Sequence, residues 1–278
     1  MQVHAHAKIN LNLRILRKRT DGFHDIETLM VPISLHDQLD IEHADDGDLQ
    51  FTCSRADLTG NDNLVVRAVR LLEKHVGKPL PVRIHLTKHV PSGAGLGGGS
   101  GDAAAALLAI RDLFDLQEVA DGQLESIAAQ LGSDIPFFIK GQAAVCRGRG
   151  EILDPSTFQA QLALVLFKHP LDIPTPWAYQ KWAESKEHPD FLYAAQDQPW
   201  GEIVNDLERP VFAKYLILGE TKRWLLKQPE VEAASMTGSG SALFAILKNA
   251  DQAGALIERA QKHFGEALWG QATSVAGM

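Results

Sequence analysis

Cysteine is nearly absent. Cys53 and Cys146 are the only two in 278 residues. They lie far apart and match no zinc or redox spacing, which excludes a disulfide scaffold and points to a reducing, cytoplasmic setting. Long apolar runs are missing too: no stretch approaches the ~18 residues that would span a bilayer. The opening MQVHAHAKINLNL lacks the basic-then-apolar layout of a secretory signal. There is no basic excess either. Twenty-seven basic against 35 acidic side chains leave a formal charge of −8, so neither nucleic acid nor a membrane surface is the expected partner. What the chain does have is 45% apolar residues, enough for a buried core in one large or two small domains.

Hydrophobic patterning divides the chain into elements. Val3, Ala5, Ala7, Ile9, Leu11 and Leu13 alternate with polar residues, so Gln2 to Leu16 reads as a strand with one buried face. Across the Asp21-Gly22 turn it pairs with Glu27 to Leu35. Short strands follow at Leu39 to His43 and Asp48 to Ser54, then a helix capped by Asp62 and closed by Gly77. Val82, Ile84 and Leu86 mark the next strand. Beyond it come an apolar helix from Asp102 to Phe114, capped by Asp102, and a second helix capped by Asp121. Ile135 to Lys140 and Ala143 to Arg147 read as strands. Asp154-Pro155-Ser156 is the expected boundary between lobes 1–155 and 156–278. After it the pattern gives a strand (Leu162 to Phe167), a proline-rich turn, two or three helices, two strands, a helix from Asp251 and a final strand near Ala272. The mixed order indicates an α+β fold.

The strongest local signal is PSGAGLGGGSGDAAAA, Pro91 to Ala106, in which six of the nine residues from Gly93 to Gly101 are glycine. Between a strand and a helix, such residues let bare backbone N–H groups and the positive end of a helix converge on a phosphate. A dinucleotide-binding reading is a rival, because Gly93, Gly95 and Gly98 satisfy G-x-G-x-x-G. Against it, Pro81 to Val90 alternates instead of being apolar throughout, and no acidic residue ends a second strand at the expected distance. The Walker string and the protein-kinase strings H-R-D and D-F-G are also lacking.

Three strings together, AKINLNL near the start, PSGAGLGGGSGDAAAA in the middle and TGSGSALFAIL near the end, resemble those of the GHMP kinases. AKINLNLRILRKRTDGFHDIETLM, GSDIPFF, GRGE, PTPWAY and NDLE are similar to one branch of that family, which phosphorylates a cytidyl diphosphate ester of methylerythritol on the non-mevalonate route to isoprenoids. The resemblance implies an N-terminal α+β lobe with a left-handed βαβ crossover and a ferredoxin-like C-terminal lobe. It also implies ATP and Mg2+ as cofactors, small-molecule partners only, and a monomer or weak homodimer. Another GHMP small-molecule kinase, of the homoserine or mevalonate type, and a non-catalytic nucleotide-binding relative are the alternatives.

By that resemblance Asp134 is the base and Lys8 the cation beside it. A carboxylate of pKa ~3.9 facing an alcohol near ~15 would need roughly 15 kcal/mol to take the proton outright, so the proton leaves late, as the P–O bond forms. Lys8, Asn10 and Asn12 share one strand face, and two Asn on a strand are unfavourable unless they bind something. Lys88 and the run Pro91, Ser92, Gly93, Ala94, Gly95, Leu96, Gly97, Gly98, Gly99, Ser100 and Gly101 correspond to the ATP-binding stretch, with Asn63 and Leu64 near the adenine. Many of these kinases carry Ser at the position of Gly101; here Ser100 is left to supply a hydroxyl, and Asp102 either helps to hold Mg2+ or simply caps the helix, capping being the preferred reading. For the cytidyl acceptor the resemblance implies Phe23 and Tyr179 as opposite faces of an aromatic clamp. Asn10 and His24 are its polar contacts, with Thr175, Gly238 and Ser239 near the diphosphate. Arg17-Lys18-Arg19 reads as a solvated hairpin, and the remaining histidines show no metal-ligand spacing.

Overall fold

The alternating N-terminus builds two strands, β1 (Gln2–Asn10) and β2 (Asn12–Lys18), parted by a bend at Leu11. The chain is described by a computed structural model over residues 1–45 and 47–276. β2 pairs antiparallel across the expected turn with β3, placing Arg14 opposite Glu27 and Ile15 opposite Ile26. β3 (His24–His43) is one 20-residue strand, where the pattern suggests two. The His36-Asp37-Gln38 interruption does not break it, because Asp37 is satisfied internally and pairing with β5 resumes at Gln38.

β4 (Gln50–Cys53), α1 (Leu64–Val76) and β5 (Val82–Thr87) form a βαβ unit with parallel strands. α1 buries Val65, Val66, Ala68, Val69 and Leu72 as one stripe. Its cap is Asn63, whose Oδ1 accepts from Val65 N at 2.9 Å, not Asp62, one residue too early. Gly77 ends it in the left-handed conformation at φ 71°.

α2 (Gly98–Leu113) begins four residues before Asp102, so Asp102 lies inside the helix and is not its cap. α3 (Asp121–Ala129) is closed by Gln123, whose side chain accepts from Ala120 N at 2.8 Å, while Asp121 pairs with Arg111. The six residues Ile135–Lys140 form a helix, α4, and not the expected strand. So short an apolar run carries no decisive period. Pro136 suits a first helical turn, and Gly141 stops the helix at φ 66°.

β6 (Ala144–Gly148) and β7 (Ile152–Pro155) make a hairpin through Arg149-Gly150. Then come β8 (Ala163–Lys168), α5 (Thr175–Trp182), β9 (Gln196–Gln198), β10 (Gly201–Asn205), α6 (Glu208–Lys214) and α7 (Leu216–Leu225). The chain closes with β11 (Val231–Met236), β12 (Leu243–Leu247), α8 (Ala253–Phe264) and β13 (Trp269–Ser274). Pro174 and Pro176, expected in a turn, flank the first residue of α5, where a fixed φ suits helix entry. β9 and β10 are too short and too polar to be read from periodicity.

By compactness the chain forms two units, each assembled from separate segments. One contains Met1–Lys8, Leu35–Ser92 and Gly97–Gln142; the other contains Ile9–Ser34, Gly93–Leu96 and the chain from Ala143 onward. In the first, α1 packs on α2, and α2 and α3 pack on α4, burying Leu107, Ile110, Leu124, Ile127 and Phe137. In the second, a four-stranded sheet runs β11-β12-β8-β13, every neighbour antiparallel. With α7 before β11 and α8 before β13, this is the ferredoxin-like order of a βαββαβ chain. Its core comprises Val165, Phe167, Leu225, Ala245, Leu256 and Leu268. No helix among the described residues is long and apolar enough to cross a membrane.

Candidate active site

In the first unit the glycine run becomes the head of α2. Gly97, at φ 70°, precedes the helix. Gly101 N already bonds Gly97 O at 2.8 Å, which leaves the N–H groups of Gly98, Gly99 and Ser100 as the unpaired donors of the first turn. These glycines also permit close packing. A Cβ on Gly97 would stand 2.7 Å from Phe138 Cζ and 3.2 Å from Lys8 Cγ, and one on Gly101 would stand 2.5 Å from His6 O. Serine therefore does not fit at 101, and the missing hydroxyl follows from the approach of α2 to β1. A Cβ on Gly99 would meet Leu64 Cδ1 at 3.5 Å, so the start of α1 lies beside the start of α2. Asn63 spends its side chain on capping α1 and on donating to Leu58 O at 2.8 Å.

The Lys8 ammonium lies 3.8 Å from the Asp134 carboxylate; the lysine side chain is 4% exposed and the aspartate 39%. Asp134 stands immediately before α4 but makes no capping hydrogen bond. A cation beneath the glycine helix is thus paired with a solvent-accessible carboxylate.

Lys88, just beyond β5, turns inward. Its ammonium bonds Asp37 and, at 2.7 Å, Asp102 Oδ2. Asp37 Oδ1 also accepts from the backbone N–H groups of His89 and Val90, the latter at 2.8 Å. Burial pushes the Asp102 carboxyl up to about 8 despite the opposing charge of Lys88. Burial would lower the lysine, but the two carboxylates outweigh it and raise it above its ordinary value. Asp102 Oδ1 is buried without a hydrogen-bond partner.

The second unit holds the rest of the glycine run against the third motif. Ala242 N donates to Ala94 O at 3.1 Å and Thr237 Oγ1 to Gly95 O at 3.4 Å. Asn10 joins the same cluster. Its N–H donates to Thr237 Oγ1 at 2.9 Å and its amide to Thr28 Oγ1 at 2.8 Å. Asn12 Oδ1 accepts from Leu29 N at 2.7 Å. The two strand asparagines are therefore explained by protein partners. Thr175 and Ser239 share a hydroxyl hydrogen bond of 2.7 Å. Tyr179 stacks on the His24 ring, centroids 5.5 Å apart, and Trp182 meets the same imidazole edge-on. Burial, followed by the charge of Lys18, lowers the His24 pKa. Phe23 is 54% exposed, with the Arg149 guanidinium 4.9 Å over its ring. Arg17 and Arg19 pair with Asp25 and Asp21 on the hairpin.

Several residues that arrange these groups escape sequence reasoning. Asn205 donates to Met236 O at 2.7 Å and Gly238 O at 2.8 Å. Glu208 accepts from Met236 N and Ser235 Oγ, both at 3.0 Å, and pairs with buried Lys222 at 2.6 Å. NDLE, visible only as a family string, thus fastens the third motif. Asp37 had a signal: it shares the buried parity of Leu35, Leu39 and Ile41, where a carboxylate needs a partner.

The family model for the N-terminal domain of GHMP kinases matches residues 63–142, and that for the GHMP kinase C-terminal domain matches 191–266. A 4-diphosphocytidyl-2-C-methyl-D-erythritol kinase of Methylacidiphilum infernorum (isolate V4) is 41% identical over 271 residues, covering 95% of this chain and 93% of that protein. A crystal structure of 4-(cytidine 5'-diphospho)-2C-methyl-D-erythritol kinase superposes with a TM-score of 0.81 at 35% identity over the whole of both chains. The mevalonate kinase of Methanococcus jannaschii, 10% identical with a TM-score of 0.70 over 100% of this chain and 98% of that one, shares the fold. The chain belongs to the GHMP kinases, in the 4-diphosphocytidyl-2-C-methyl-D-erythritol kinase branch.

Proposed function

We propose that this protein transfers the γ-phosphoryl group of ATP to the tertiary 2-hydroxyl of 4-diphosphocytidyl-2-C-methyl-D-erythritol, in the cytoplasm, as a step toward isoprenoid precursors. The observation that carries the reading is the buried Lys8 ammonium 3.8 Å from accessible Asp134, with the lysine stem against Gly97 at the head of α2. A base, a cation and a set of unpaired backbone donors are thereby gathered in one unit. The acceptor oxygen attacks Pγ, the bond from Pγ to the β-bridging oxygen breaks, ADP leaves, and the acceptor proton passes late to Asp134 and then to solvent. Lys8 stabilises the developing charge. The N–H groups of Gly98, Gly99 and Ser100 receive the phosphates.

Pro91 to Leu96 lead the nucleotide to that helix, and Asn63 and Leu64 border the adenine. Gly238 and Ser239, held by Asn205 and Thr175, face the acceptor diphosphate, and Asn10 is a polar contact of the cytidyl group. His24, kept neutral by burial and supported by Tyr179, reads the pyrimidine edge, and exposed Phe23 stacks on the base. Mg2+ keeps several waters and needs only one or two protein oxygens besides substrate phosphates. Ser100 is the hydroxyl that would help to hold the ion, which when bound neutralises phosphate charge.

The test is a coupled ADP-release assay over a panel of alcohols, with the cytidyl methylerythritol ester beside homoserine and mevalonate. Only the cytidyl ester is expected to turn over. Asp134→Asn should lower kcat by roughly 10²- to 10⁴-fold, the range for loss of a general base, while nucleotide affinity holds. An unchanged rate would remove Asp134 as the base, and turnover of homoserine instead would redirect the assignment.

A further inference from the structure

Resemblance puts Lys88 among the groups that touch the nucleotide, but its geometry points elsewhere. The side chain is 6% exposed and its ammonium has two carboxylate partners, Asp37 and Asp102, themselves 0% and 4% exposed. Asp37 comes from β3, Lys88 from the end of β5 and Asp102 from the second turn of α2. The same Asp37 carboxylate takes the N–H groups of His89 and Val90, fixing the two residues that lead into Pro91. A Cβ on Gly98 would lie 2.9 Å from Val90 Cγ1 and 3.3 Å from Lys88 Nζ, so the cluster abuts the first residue of α2. It therefore joins both ends of the connection between β5 and the phosphate-facing turn.

We infer that Asp37, Lys88 and Asp102 form an internal brace, in which Asp37 and Asp102 are positioning residues for the head of α2 and Lys88 acts as their shared counter-ion, without contacting the nucleotide. The inference rests on the reading of α2 as the phosphate site. Glycine residues leave that turn without side chains to hold it, and a buried charge cluster is a rigid substitute because each member is costly to unpair. The brace fixes where the donors of Gly98, Gly99 and Ser100 point, and preorganised donors bind better than mobile ones.

Two measurements test it, both with the intact chain. In calorimetric titration with a non-hydrolysable ATP analogue, Lys88→Met should weaken binding about tenfold, the ratio corresponding to 1.4 kcal/mol. It does so by leaving the buried Asp37 carboxylate without its cation. Adding Asp37→Asn to that variant should restore affinity to within about threefold of wild type, because the unbalanced charge is gone and the amide oxygen can still accept from the N–H groups of His89 and Val90. A double variant as weak as the single one, with its melting temperature intact, would mean that Lys88 binds phosphate directly and would overturn the brace.

Should the variants fold poorly, amine labelling of the wild-type chain read by mass spectrometry decides. Lys88 should label slowly and at the same rate with and without the analogue; ready labelling that the analogue blocks overturns the inference. Failure of wild type to bind the analogue at all would instead defeat the reading of α2 as the phosphate site, and the brace with it.

Discussion

At the scale of single residues, the glycine run serves two purposes that composition does not distinguish. Gly99 has room: a Cβ there would sit 3.5 Å from Leu64 Cδ1, an ordinary contact. Gly101 has none, with His6 O at 2.5 Å from the same atom, and a backbone carbonyl cannot rotate away as a side-chain tip can. Alanine favours a helix over glycine by up to about 1 kcal/mol, whereas overpacking costs typically ~1–3 kcal/mol. Gly101→Ala should therefore lower the melting temperature, while Gly99→Ala should leave it equal or higher. Paired thermal melts check both. A Gly101→Ala protein as stable as wild type would show that α2 can move off β1 without cost.

At the scale of elements, His169, just past β8, shows how a titratable group can set acid stability. Its Nε2 shares a 2.8 Å hydrogen bond with Thr221 of α7, and its ring meets Phe264 of α8 edge-on. Burial lowers its pKa below the ordinary 6.5. Between that lowered value and 6.5 the unfolded chain binds a proton that the folded chain refuses. Stability is thus full above about 6.5 and declines as pH falls through the window. His169→Gln keeps a partner for Thr221 and cannot titrate, so its melting temperature should fall less between pH 7 and pH 5 than that of wild type. Equal slopes would place the acid sensitivity elsewhere, His24 and His4 also being lowered by burial.

Elements with a long period were legible in advance. The stripe of α1, the alternation of β5 and the amphipathic α8 follow from spacing alone. α4 was not, because Ile135–Lys140 owes its helix to burial against α2 and α3 and not to a pattern of its own. β9 and β10 exist through pairing with each other and with β2. Of the site, the glycine helix and the Lys8–Asp134 pair were legible as motifs. Asn205 and Glu208 act by holding backbone groups distant in sequence, and that kind of role leaves no local trace; Asp37 left one, a carboxylate on the buried parity of its strand.

At the scale of the whole molecule, the two compact units exchange the chain at five places, after Lys8, Ser34, Ser92, Leu96 and Gln142. The segment 156–278, expected from the Asp154-Pro155-Ser156 stretch to be a lobe, contains the entire four-stranded sheet, yet its own unit depends on residues outside it. β10 pairs with β2, Asp206 accepts from Ile15 N at 2.8 Å, and Thr237 takes Asn10 N at 2.9 Å. Ala242 N bonds Ala94 O, and Val275 bridges Ile33. Each such hydrogen bond contributes about 1 kcal/mol, and leaving its buried partner unpaired costs ~1–3 kcal/mol. Several kcal/mol are therefore lost when 156–278 is expressed alone. For a chain of this size that corresponds to a melting temperature at least roughly 10 °C below that of the intact protein. The third motif, deprived of Asn10 and Gly95, should exchange its amide hydrogens faster than the sheet behind it. A fragment that melts with the full chain, with Thr237 to Ser241 equally protected, would show that these long-range bonds contribute nothing and that the segment is a self-sufficient domain.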